Sequence, residues 1–172
     1  MEQLRAVDHA QVRLERGFWH ERQEINAQAT IHAVYDRFLE TGRFDALRFD
    51  WKEGMPNKPH IFYDSDVAKW IEAGAYILQS QEDPDLEAKI DGLVDLIVEH
   101  QDPNGYFNVW FTVIEPDKRF QLRDKHELYC AGHLFEAAVA YDQARGKDKL
   151  LQAMCRYADH IERVFKIERS AA

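Results

Sequence analysis

The sequence predicts an all-α fold made of stacked antiparallel helical hairpins. Three observations carry this. Apolar residues recur at helical spacing in five successive stretches. Two connections between those stretches, around 81 to 84 and at 146, are short enough to fold one helix back on the next. The only aromatic and β-branched run, residues 106 to 121, has no partner strands with which to build a sheet.

Residues 1 to 17 are polar and end at Gly17. From Phe18 the pattern turns helical, with Ile31, Val34, Tyr35 and Phe38 on one face and Gly42 as the stop. Residues 43 to 63 read as loop, because Gly54, Pro56 and Pro59 interrupt any period. The aromatics of that loop suit a segment packed over something rather than a free linker. A second helix carries Val67, Trp70, Ile71, Gly74, Ile77 and Leu78, with Asp64, Ser65 or Asp66 available as its cap.

Asp83-Pro84 is an N-cap followed by proline at the first helical position. The helix it opens presents Leu86, Ile90, Leu93, Val94 and Ile97, and stops at the turn Gln101-Asp102-Pro103-Asn104-Gly105. Residues 106 to 121 could hold a short extended segment, broken at Pro116. The helix of Leu122 to Tyr141 runs on to Arg145-Gly146, a basic last turn and a glycine stop. A last helix places Leu151, Met154, Cys155, Ala158, Ile161 and Phe165 on one face. The expected organisation is a polar segment over 1–17, a helical domain over 18–166 and a tail over 167–172.

The chain has 172 residues, enough for one domain with a real core. Its net charge of −9 argues against nucleic acid or an anionic membrane as partner. Two cysteines make neither a disulfide framework nor a CxxC metal site. The N-terminus is charged throughout and no apolar run approaches a membrane span, so the default compartment is the cytoplasm.

Leu122 to Tyr141 holds the residues with the most chemistry. Asp124 and Glu127 have the spacing of a capping box, which favours a helix-start role for Glu127 over a catalytic acid. His126, Cys130, His133, Ala137 and Ala140 share one face, while Leu128, Phe135 and Val139 share the opposite one. A helix apolar or small all round is expected to be buried on all sides. Its two imidazoles then need partners, either core polar groups or a pocket. A metal site of His126, Cys130 and His133 lacks an indicated fourth ligand, and the HExxH spacing is absent.

Asp64 and Asp66 form a second candidate. Paired carboxylates can bind sugar hydroxyls or act as an acid/base pair, and the plainer reading is helix capping. A third is the turn at 101 to 105, which delivers Tyr106, a ring suited to stacking on a sugar face.

Four segments occur in order: FYDSDVAKWIEAGAYIL, EHQDPNGYFN, EPDKRFQLRDKHELYCAGHLFEAAVAY and LLQAMCRYADHIERVF. Together they resemble the N-terminal part of glycoside hydrolase family 127, the β-L-arabinofuranosidase-like enzymes, from about Val12 to Phe165. The loop at 43 to 63 matches less closely. The resemblance implies the first part of an (α/α)6 barrel. It also implies a retaining glycosidase with a cysteine nucleophile held at zinc and a glutamate acid/base.

In the family those catalytic groups lie downstream of the matched region, so neither Cys130 nor Cys155 takes the nucleophile's place. No cofactor is expected in this stretch, and zinc is implied only for the full-length family. His126 matches the family histidine that faces the pocket and contacts the sugar, and Asp64, Asp66 and Tyr106 fall in matching motifs near the barrel mouth.

Because the sequence stops at Ser170-Ala171-Ala172, the expectation is a pocket-wall fragment that binds carbohydrate, is inactive alone, and either self-associates or needs a missing C-terminal part. The rival expectation is a stand-alone helical binding or scaffold module derived from the same fold. A metalloenzyme built on His126, Cys130 and His133 is a third.

Overall fold

The computed structural model describes Leu4, Val7 and residues 11 to 168. Most of the polar segment expected over 1–17, and the end of the tail expected over 167–172, therefore lie outside the described residues. The described chain is helical, with α1 Phe18–Ile25, α2 Ile31–Glu40, α3 Tyr63–Ser80, α4 Pro84–His100, α5 Trp110–Val113, α6 Glu127–Arg145 and α7 Lys149–Glu162. No strand occurs among the described residues, and none of their helices is long and apolar enough to cross a membrane.

Helices α1 and α2 are one helix with a π-turn, Asn26–Thr30, in its middle. The predicted face is the one used. Ile31 is buried, and Val34, Tyr35 and Phe38 pack on the core. The Trp70 indole of α3 donates to the Ile31 carbonyl at 2.9 Å, fastening this helix to α3. The loop that follows is packed at its start, where Phe44, Ala46 and Leu47 are buried.

Both hairpins form as expected. Asp83 caps α4 by accepting from the Leu86 amide at 2.9 Å, and Pro84 opens the helix. Leu86, Ile90, Leu93, Val94 and Ile97 are all buried. Helix α4 packs closely over Gly74 of α3, where a Cβ would lie 2.8 Å from Ile90 Cδ1.

Side-chain contacts fix how the hairpins stack. The starts of α3 and α6 meet where Phe62 lies 4.9 Å from His126, and their ends meet where Arg145 pairs with Glu82 at 3.1 Å. The two helices therefore run parallel. Likewise Lys147 reaches Asp91 at 2.7 Å, and the Gln101 amide reaches the Ala153 carbonyl at 2.8 Å, so α7 runs parallel to α4. A parallel pair, α3 and α6, is thus backed by a second parallel pair. Both hairpin turns lie at one end, and the starts of α3 and α6 lie at the other.

Four local expectations fail. Residues 106 to 121 are not extended; they hold α5 and a 3-10 turn, Pro116–Lys118, because Asn108 caps α5 by accepting from the Phe111 amide at 2.9 Å. The capping box does not form. His126 takes a left-handed backbone, φ 59°, so α6 begins at Glu127 and no side chain caps it.

Helix α6 is also not buried all round, since Leu128, Tyr129 and Val139 are 48 %, 44 % and 44 % exposed. In α7 the buried face is Leu150, Ala153, Met154 and Tyr157, whereas Cys155 and Ala158 are exposed. Apolar residues sit on both sides of that helix, and a period alone does not say which side meets the core.

Candidate functional site

The end at which α3 and α6 start is where the chemistry gathers. Between α4 and α6 the chain crosses this end, and its polar groups are tied down one by one. The turn closes with Gly105 donating to the Asp102 carbonyl at 2.8 Å, and it turns Tyr106 inward until the ring is wholly buried. Arg119 lies 3.9 Å above that ring and pairs with Asp102 at 2.7 Å. The Tyr106 hydroxyl donates to Glu127 Oε1, and the Phe120 amide donates to Glu127 Oε2 at 2.6 Å.

Glu127 is thus a buried anchor with a donor on each oxygen. The sequence placed it at a helix start, which holds, but gave no sign that its carboxylate faces inward.

Asp64 does not cap α3, which begins at Tyr63 without a side-chain cap. Its carboxylate instead reaches across to accept from the Val109 amide at 2.9 Å. Asp64 is fully buried, and Oδ2 has no hydrogen-bond partner. Burial pushes its pKa up to about 7, and the charges of Glu127 and Asp66 add to the rise.

Asp66, also not a cap, is half-buried and accepts from Arg43 Nε at 2.8 Å. The same guanidinium lies 4.9 Å from the Phe38 ring and 4.8 Å from the Tyr63 ring. Ser65 donates to the Phe62 carbonyl at 2.9 Å.

His126 is the exposed member. Its left-handed backbone lifts the ring off the end of α6 to lie 4.9 Å from Phe62 and 5.8 Å from Tyr129, centre to centre. Phe120, at φ 55°, is a second non-glycine residue in that region close by in sequence. Each such residue costs of order 1 to 3 kcal/mol and survives only where its surroundings enforce it.

Of the four predicted site residues, His126 and Asp66 are thus accessible, while Asp64 and Tyr106 are enclosed directly behind them. Phe62, Tyr129 and Arg43 complete the candidate patch; nothing in the sequence pattern marked them, because ordinary apolar and basic residues are brought beside the candidates only by the fold.

The triad of His126, Cys130 and His133 does not assemble. The Cys130 thiol turns inward to donate to the Ile61 carbonyl at 3.3 Å, and His133 lies against Glu136 at 3.1 Å.

A parallel inner pair backed by a parallel outer pair, with the candidate patch at one end, is an arc of an (α/α)6 barrel. The comparisons name the family. The model for the β-L-arabinofuranosidase, GH127 catalytic domain matches residues 11–170, and this chain belongs to that family. A non-reducing end β-L-arabinofuranosidase from Bifidobacterium longum subsp. longum is 37% identical over 144 residues, covering 81% of this chain and 20% of the relative.

A GH127 β-L-arabinofuranosidase from Geobacillus stearothermophilus T6 superposes with a TM-score of 0.83 at 40% identity, covering 89% of this chain and 26% of that one. A further GH127 β-arabinofuranosidase gives 0.82 at 29% identity, covering 90% and 26%. The chain spans a fifth to a quarter of the length of these relatives.

The zinc–cysteine centre implied for the full-length family does not fit the cysteines present. Burial pushes the Cys130 thiol up to about 12, far from the thiolate a zinc ion binds, and Cys155 is exposed on α7.

Proposed function

We propose that this chain forms one wall of the sugar pocket of a β-L-arabinofuranosidase-like glycoside hydrolase, with the hydrolytic groups supplied by sequence beyond it. The observation that carries the reading is the exposed His126 imidazole, held in a left-handed turn between Phe62 and Tyr129 where α3 and α6 both start. Aromatic faces and an imidazole donor suit a sugar ring with its hydroxyls.

In this reading His126 touches the sugar and Asp66 stands beside it. Asp64 and Tyr106 act from behind, holding residues 106 to 126 in the shape the pocket needs. The chain serves carbohydrate metabolism only when the rest of the barrel closes over α3 and α6. Alone it self-associates and does not hydrolyse.

The test is an arylated β-L-arabinofuranoside assay of the 172-residue chain with and without zinc, alongside NMR titration with L-arabinose. No turnover is expected, and sugar-induced shifts should centre on Phe62, His126 and Tyr129. Zinc-dependent turnover would overturn the fragment reading. Shifts confined to the opposite end, around Glu82 and Arg145, would overturn the assignment of the pocket.

A further inference from the structure

Midway along the seam between α3 and α6, below the mouth, three ligand-bearing side chains converge. Glu72 of α3 and His133 and Glu136 of α6 each bring one donor atom to within 4.8 Å of the other two. We propose that these three residues form a binding site for a divalent transition metal, zinc being the ion that suits one imidazole and two carboxylates.

The seam makes this geometry. Residues three apart lie side by side on a helix, so His133 and Glu136 form one edge, and the parallel neighbour supplies the third ligand from the facing turn. One nitrogen and two carboxylate oxygens leave a fourth, tetrahedral position for water. Glu136 is 62% exposed. An ion can therefore enter from solvent, and the closing movement it requires falls on an exposed side chain.

Three further features favour a cation. First, neither carboxylate has a lysine or arginine ion pair among the described residues; Glu72 accepts from the Tyr76 hydroxyl, and Glu136 lies against His133.

Second, His133 Nδ1 is buried and lies 3.1 Å from Glu136 Oε2, yet no hydrogen bond joins them. A nitrogen and a carboxylate oxygen this close, with no hydrogen bond between them, are placed to share one cation.

Third, the ligands are held from outside. Tyr76 donates to Glu72 Oε1 at 3.1 Å, which leaves Oε2 for the ion. The Tyr129 ring meets His133 edge to face at 4.5 Å, and Lys69 holds the Tyr129 hydroxyl at 2.8 Å. Such outer partners orient ligands and are commonly worth a factor of about ten to a hundred in metal affinity.

Zinc titration of the 172-residue chain by calorimetry, paired with cobalt absorption spectra, tests the site. The expected result is saturable binding of one ion per chain. Glu72→Gln and His133→Gln should each weaken it by about a hundredfold, and Tyr76→Phe by about tenfold. His126→Gln should leave it intact. Far-UV circular dichroism and melting without metal establish that each variant is folded, so a loss of binding reads on the site and not on the fold. Absence of stoichiometric binding, unchanged affinity in His133→Gln, or a cobalt–thiolate band implicating Cys130 would overturn the proposal. Sugar binding at His126 is a separate readout, so either idea can fail without the other.

Discussion

Tyr106 and Glu127 are joined by a hydrogen bond from phenol to carboxylate, and that bond ties the turn after α4 to the first residue of α6. Glu127 is only 4% exposed, so its charge is tolerable because donors meet both oxygens. Tyr106→Phe removes one donor and should cost about 1.5 to 3 kcal/mol. Glu127→Ala strands the Tyr106 hydroxyl and the Phe120 amide together and should cost more. Urea unfolding of the two variants gives the comparison; equal stability of Tyr106→Phe and wild type would show that the bond is not holding the turn.

Asp64 makes a pH-dependent contribution whose sign is the reverse of the usual carboxylate. Its folded pKa, about 7, lies above the ordinary 3.8, so between those values the folded state holds a proton that the unfolded state has lost. Its contribution is complete below pH 3.8 and fades as pH rises toward 7, a difference on the order of 4 kcal/mol. Asp64→Asn keeps an acceptor for the Val109 amide without the ionisation. The variant should gain stability on the wild type from about pH 4 to about pH 7 and level off above that. Parallel melting curves across that range would refute the raised pKa.

The architecture was legible in the sequence because its signals are local. Asp83-Pro84 opens α4, Gly146 closes α6, and the apolar periods of α2, α3 and α4 each pick the face that is buried. The candidate site was legible only as a set of residues that the fold gathers at one end. His126 and Asp66 do lie at one end, yet Asp64 and Glu127, which read as caps, are cross-chain anchors. Their partners Val109, Tyr106 and Phe120 are donors from a segment with no period of its own. The left-handed backbone of His126 was equally hidden, since a histidine carries no sequence mark for positive φ as glycine does.

Gly105 is the position where that crossing segment tolerates no side chain. Its φ is +93°, and a Cβ would sit 2.3 Å from the Arg156 carbonyl oxygen of α7. Backbone atoms on both sides cannot step aside as a side-chain tip could. Gly105→Ala should cost roughly 3 kcal/mol from strain and overpacking together. Gly92→Ala, in the middle of α4 with open space around it, should instead stabilise by about 0.5 to 1 kcal/mol. Thermal melts of the pair check both signs.

Leu128 and Val139 stand three turns apart on the same stripe of α6, both nearly half exposed, with Tyr129 beside Leu128. In a closed barrel such a stripe is covered by later helices, so in this chain alone it should drive association. Leu128→Lys with Val139→Lys places charge on that stripe without touching the buried face, and single exposed changes of this kind are within about 0.5 kcal/mol in stability. Sedimentation velocity should therefore show wild type associating with rising concentration, while the double variant stays monomeric at unchanged melting temperature. A wild type that remains monomeric and unfolds cooperatively would argue the other way: α6 would then be a tolerable surface, and the chain a self-sufficient helical module rather than an open arc of a barrel.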